Sequence, residues 1–230
     1  MATAEQRRER LVELFREVKG CTRCPLSETR TQTVFGAGNA NADLMFVGEA
    51  PGAQEDLQGI PFVGRAGQLL NELLAENGLS RDDVFIANVL KSRPPGNRDP
   101  QPEEIEACKP YLFRQVELIE PTVICTLGNF ATKLLTGSPT GITRVHGEPQ
   151  VHELGERTVK IFPIFHPAAG LRTPSVKEQL REDFKKLPPL LAAGPPPQRT
   201  EQAAAPDAAP TEQKPADEPP ADDQLGLFGA

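Results

Sequence analysis

A three-layer α/β/α sandwich on a central four-stranded parallel sheet is the fold class this sequence predicts, and three observations predict it. Short apolar runs that do not alternate, DLMFV, DVFIANV, TVICTLG and TVKIFPIF, read as strands buried on both faces. Helical stretches separate them, so strand and helix alternate along the chain as in parallel sheets with right-handed crossovers. Each strand also runs into a segment suited to a ligand, GEAPG, NVLKSRPPGNR, LGNFA and HPAAGLR, and open α/β sheets bind ligands at the strands' carboxyl ends.

The elements follow in order. Thr3 can cap a first helix in which Leu11, Leu14, Phe15 and Val18 recur at i, i+3, i+4 and i+7, one face of a 3.6-residue period. DLMFVG is the first strand. After a glycine-rich loop, AGQLLNELLAENG predicts an amphipathic helix stopped at Gly78. DVFIANV is the second strand. QPEEIEACKPYLFRQVELIEP contains a helix with Glu103 and Glu104 near its positive end and Pro121 closing it. TVICTLG is the third strand, NFATKLLTG a short helix, TVKIFPIF the fourth strand, and SVKEQLREDFKKLPPLL a last helix.

Composition divides the chain near Gly194. Residues 1–193 read as one domain, and residues 194–223 as a disordered linker rich in proline, alanine and acids. Of a net charge of −7, the segment after residue 193 carries −5, from seven acids against Arg199 and Lys214. The domain itself is therefore nearly neutral, and the acidic total does not exclude nucleic acid as a partner. No apolar stretch approaches the roughly 18 residues of a membrane span, and the N-terminus has no signal-peptide pattern, so the expectation is a cytoplasmic protein.

The four cysteines are Cys21, Cys24, Cys108 and Cys125. In a reducing compartment, four thiols that include a C-x-x-C suggest metal ligation more than disulfides. One knuckle followed by two separated cysteines favours a [4Fe–4S] cluster over zinc, which usually takes two knuckles. The plainer alternative is a pair of core thiols beside an incidental C-x-x-C. For Cys125 alone, inside a buried strand, that alternative is the stronger.

The crevice has a definite chemical character. Gly48, Gly52, Gly59 and Gly64 allow backbone to approach a ligand closely, and the helix opening near Ala66 offers free N–H groups suited to a phosphate. Phe62 can serve as a flat stacking surface or simply fold under for burial. Asn88 ends a strand, where its amide offers an acceptor and two donors or caps the next turn. His166 opens HPAAG, whereas His146 and His152 read as surface groups. Lys91, Arg93, Arg98 and Arg172 cluster as for a polyanion. The loop is neither of the common nucleotide-binding glycine motifs.

GEAPGAQEDLQGIPFVGRAG, NVLKSRPPGNRDP, HPAA and the four-cysteine pattern together resemble the family-4 uracil-DNA glycosylases, the iron–sulfur branch of that superfamily, over about residues 10 to 190. The resemblance implies the uracil-DNA glycosylase fold, uracil-containing DNA as substrate, base-excision repair as role, and a [4Fe–4S] cluster on the four cysteines. It implies that Phe62 stacks on an everted uracil and Asn88 pairs with its O4 and N3–H edge. Glu49 matches the family's pocket glutamate and would help exclude the thymine methyl. His166 would donate toward O2 of the departing anion, and the backbone of Ala50 with the acid Glu55 would hold the attacking water. A related branch captures DNA covalently through a histidine in an arginine-rich insertion. KSRPPGNRDP holds no histidine, so turnover is the expectation.

The tail ends in DDQLGLFGA. Gln224, Leu225, Leu227 and Phe228 resemble the short peptide with which bacterial repair proteins grip the sliding clamp, so residues 224–230 read as a clamp-binding segment of a monomeric enzyme. A linker of about thirty residues spans roughly 30 Å, enough to tether and still release the domain.

Overall fold

The computed structural model describes residues 3–198. The linker beyond residue 198 and the peptide holding Gln224, Leu225, Leu227 and Phe228 lie outside the described residues. The chain opens with α1 (Ala4–Lys19), α2 (Leu26–Thr29), β1 (Ala37–Gly38), β2 (Leu44–Gly48), α3 (Ala53–Gln58), α4 (Arg65–Glu76) and β3 (Val84–Asn88). It continues with α5 (Pro102–Ile119), β4 (Val123–Leu127), α6 (Asn129–Thr136), α7 (Ile142–Val145), β5 (Gln150–Leu154) and β6 (Arg157–Ile164). Three helices close the domain: α8 (Pro167–Gly170), α9 (Pro174–Lys185) and α10 (Leu187–Ala192).

The sheet runs β1-β3-β2-β4-β6-β5. Its four central strands are parallel and are the four expected, while β1 and β5 add an antiparallel edge on each side. Neither edge carries the apolar run of a buried strand. β1 is two residues long, and β5 alternates half-buried with exposed side chains before Gly155 turns it into β6 at φ 62°.

Register sorts the side chains into two cores. Phe46 of β2 lies beside Cys125 of β4, which lies beside Phe162 of β6, so all three point to one face. There they meet α4 and α9 in a core that includes Leu70, Leu73 and Phe184, and Phe46 stacks on Phe184 with ring centroids 5.8 Å apart. Met45, Ile124 and Ile161 form the matching row on the opposite face, under α1 and α5, with Leu14, Cys108 and Leu112. These are the three expected layers.

Local signals act as sequence chemistry demands. Thr3 Oγ1 accepts from the Gln6 N–H at 3.2 Å and Gln6 Oε1 accepts from the Thr3 N–H at 2.9 Å, a full capping box on α1. Leu11, Leu14 and Val18 are buried, but Phe15 stays 42% exposed, its ring set edge-on to Phe35. The single last helix expected is two, because Pro188 and Pro189 lack the N–H that would continue α9 and instead sit in the first turn of α10. The ordered domain also outlasts the boundary expected at Gly194. Lys160 Nζ donates to the Gly194 carbonyl at 2.6 Å, and the Gln198 amide bonds both the N–H and the carbonyl of Thr158.

Phe46→Ala opens a cavity between α9 and the sheet where collapse is restrained on both sides. The expected loss is about 3–5 kcal/mol of stability, read from the urea midpoint.

Candidate active site

The carboxyl ends of β2, β3 and β6 enclose a cavity of about 350 Å³. Gly48 ends β2 in register with Asn88 at the end of β3. A Cβ on Gly48 would lie 2.4 Å from Asn88 Oδ1 and 2.7 Å from Phe62 Cζ, so the bare glycine is what lets the amide and the ring share the pocket wall. The Val89 and Leu90 N–H groups take the Gly48 and Glu49 carbonyls at 2.9 and 3.0 Å, extending the ladder and fixing where Glu49 and Ala50 enter the cavity.

Asn88 is 1% exposed, and its Oδ1 has no hydrogen-bond partner within the protein. A buried acceptor left unmet costs about 1–3 kcal/mol. This one belongs to a residue that lines the cavity, where it can accept from a donor placed there.

Phe62 is buried, with its ring 5.5 Å from that of His166. Its φ of 52° lies in the left-handed region that a bulky residue avoids. Three contacts hold it there. Arg81 donates to the Pro61 and Phe62 carbonyls at 2.7 and 3.0 Å. Gly67 lets the Phe62 carbonyl come so near that an added Cβ would lie 1.7 Å from its oxygen. Glu55 Oε1 accepts from the Val63 and Gly64 N–H groups, both at 3.0 Å. Glu55 therefore lines the cavity but has one oxygen committed to the loop just before α4, whose first-turn residue Ala66 also lines the cavity.

His166 Nδ1 accepts from the Ala168 N–H at 3.1 Å, which leaves the proton on Nε2. Burial, and secondarily the Arg172 charge, lower its pKa to about 4, so the ring is neutral near pH 7. The half-buried Glu49 shifts the other way: burial, and secondarily Asp99, raise its pKa to about 6. In both groups burial favours the neutral form.

Some expectations are corrected. LGNFA contributes no lining residue, since Asn129 Oδ1 accepts from the Ile142 N–H at 2.9 Å, and Gly128 merely backs His166. Lys91 is not a surface cation. It is 2% exposed and donates to the Asn88 carbonyl at 2.8 Å and to Gln115 Oε1 at 2.6 Å, with burial lowering its pKa to about 7. Arg98 lines the cavity while pairing through two bonds with Glu104, and Arg93 bonds Asn97. Arg172 lines the cavity, as expected of a group facing a polyanion. His146 is half-buried, 2.9 Å from Asp183 and against the Phe165 ring. Arg81 escaped the sequence reading because an arginine in SRDD looks like any solvated charge.

The cysteines do not form the set of four. Cys21 and Cys24 pack against the core that contains Cys108, and the three thiols lie within electrostatic reach of one another. Backbone N–H groups of Arg23 and Lys91 reach Cys21 Sγ and Cys108 Sγ, both at 3.5 Å. Cys125 belongs to the opposite core, beside Phe46 and Phe162, with the sheet between it and the others. Among the described residues no three His, Cys, Asp or Glu side chains are gathered closely enough to hold a single metal ion. Three thiols share one neighbourhood, and Cys125 lies outside it.

The chain belongs to the uracil-DNA glycosylase superfamily, whose family model matches residues 35–187. Its similarity is to the type-4 branch. It is 50% identical over 183 residues to the type-4 uracil-DNA glycosylase of Archaeoglobus fulgidus, covering 78% of this chain and 92% of that one. The type-4 enzyme of Thermotoga maritima is 48% identical over 183 residues, with 78% and 94% covered. That of Sulfurisphaera tokodaii is 47% identical over 182 residues, with 77% and 83% covered.

Gly48→Ala introduces no backbone strain but displaces Asn88 and Phe62. Single-turnover turnover of the pocket's substrate is expected to fall by about 10²-fold, the cost of misplacing a positioned group. Overpacking should cost a further ~1–3 kcal/mol of stability.

Proposed function

We propose that this chain hydrolyses the N-glycosidic bond of uracil in single- and double-stranded DNA, leaving an abasic site from which base-excision repair proceeds. The observation that carries this reading is the unmet Asn88 Oδ1 at the wall of a cavity large enough for an everted base. Uracil offers N3–H as a donor beside O4 as an acceptor, matching Oδ1 and Nδ2 of one amide. Cytosine presents the opposite order and would leave both unmatched. A site built this way rejects the wrong base by more than shape.

Phe62 stacks on the ring, its strained backbone already fixed before substrate arrives. As the glycosidic bond lengthens, charge accumulates on the departing uracil, and the neutral His166 donates Nε2–H toward O2. That hydrogen bond strengthens only as the anion forms, so it lowers the barrier rather than tightening ground-state binding. We assign the attacking water to Glu49 and the backbone of Ala50 rather than to Glu55. Glu49 is the pocket carboxylate with no committed oxygen, while Glu55 braces the loop that carries Phe62.

An iron–sulfur cluster at Cys21, Cys24 and Cys108 would supply a structural tie between the segment after α1 and α5. The tail residues Gln224, Leu225, Leu227 and Phe228 support tethering of a monomeric enzyme to a sliding clamp in the cytoplasm. Among the described residues no helix is long and apolar enough to cross a membrane. Deleting residues 224–228 should abolish clamp binding in a pull-down and leave excision on clamp-free DNA intact.

Incubation with a uracil-containing oligonucleotide followed by alkali tests the activity. Strand scission is expected, falling by about 10²–10³-fold in His166→Ala. Uncleaved substrate, or a covalent adduct that survives detergent, would replace this reading with a binding or capturing protein. The pH dependence separates the two carboxylates. A required Glu49 carboxylate is intact above its pKa of about 6 and is lost as pH falls through it, so the rate should drop about tenfold per pH unit below that value. Glu49→Gln should lower the plateau by roughly 10²-fold or more and abolish this limb. Glu55→Gln should retain it.

A further inference from the structure

A cluster needs a fourth ligand that Cys125 cannot be. The side chains beside the three converging thiols offer few choices. Glu104 is near Cys24, but both its oxygens are held by Arg98 and one also accepts from the Gln101 N–H at 2.9 Å. The Tyr111 phenol lies against Cys21 with its ring under the Arg23 guanidinium, 4.6 Å from centroid to charge. Ser92 differs from both. It is 4% exposed, and it directly follows Lys91, whose N–H touches Cys108 Sγ at 3.5 Å. One guanidinium then joins it to the knuckle: Arg30 donates to Ser92 Oγ at 3.2 Å and to the Cys21 carbonyl at 2.7 Å.

We propose that the cluster is held by three thiolates and one oxygen, from Cys21, Cys24, Cys108 and Ser92, and that Cys125 is a core thiol with no part in it. The inference rests on the reading that the chain carries an iron–sulfur cluster. A serine hydroxyl must lose its proton to bind iron, releasing it to solvent as the thiols do, and the Arg30 charge beside it favours the resulting alkoxide. Oxygen is a harder donor than thiolate, so the iron at Ser92 is the least firmly held. One-electron oxidation by ferricyanide then converts [4Fe–4S]2+ to [3Fe–4S]+, releasing that iron as Fe2+ while ferricyanide is reduced to ferrocyanide.

The experiment uses the full-length chain purified without oxygen, with iron and sulfide per chain, visible absorbance and EPR as readouts. Cys125→Ala should keep iron and sulfide at the parent level, whereas Cys108→Ala should lose most of both. Ferricyanide should raise the EPR signal of a three-iron cluster in the parent. Ser92→Cys should retain its fourth iron and slow that conversion by about tenfold or more, the scale on which changes around a metal alter its retention. Loss of the cluster in Cys125→Ala, or conversion at the parent rate in both Ser92→Cys and Ser92→Ala, overturns the proposal. A parent chain that excises uracil but holds no iron overturns this proposal and the cluster reading while leaving the glycosylase reading intact.

Discussion

The absence of a side chain at one residue organises the pocket. Gly48 and Asn88 end adjacent parallel strands in register, and the space a Cβ would fill is taken by the Asn88 amide and the edge of Phe62. Strand pairing sets the amide's height and the glycine sets its freedom to face the cavity. The sheet is thus the ruler for the site, and placing Asn88 on a strand end gives it a rigidity that a loop residue would lack.

The stacking loop is held differently. Phe62 sits in an unfavourable backbone region, and such strain persists only where surrounding structure over-determines it. Arg81, Glu55 and Gly67 do so from three directions: a guanidinium on two carbonyls, a carboxylate on two N–H groups, and a helix close enough to touch the backbone. Behind Asn88 the buried Lys91 grips its carbonyl and Gln115, and Gln115 in turn donates to the Phe35 carbonyl at 2.9 Å. Of the four cations clustered in the sequence, Lys91 is an internal fastener, while Arg98 and Arg172 line the cavity.

The sheet is also a partition. It separates the core of Cys125, Phe46 and Phe184 from the core that Cys108 shares with α1, and it brings only strand ends to the pocket. Lys91 is where the two regions meet, with its N–H on Cys108 Sγ and its Nζ on the Asn88 carbonyl. One residue thus touches both Cys108 and Asn88.

What the sequence determined by itself is local or periodic. Uninterrupted apolar runs indicated strands buried on both faces, Thr3 indicated a helix start, and alternation of strand and helix indicated a parallel sheet whose carboxyl ends hold the site. Asn88 and His166 were legible because strand ends are predictable from hydrophobicity, and Phe62 as a lone aromatic in a glycine-rich loop, while Glu49, Ala50 and Glu55 were named only through the family resemblance; all six line one cavity. Tertiary structure alone decided partnership. Which face of β4 receives Cys125 depends on a register that a run buried on both sides does not encode. Whether Lys91, Arg81 or Glu55 meets solvent, backbone or substrate depends on segments tens of residues away. A sequence states which groups are available; only the packing of distant segments settles which atoms satisfy one another and which, like Asn88 Oδ1, are left for a ligand.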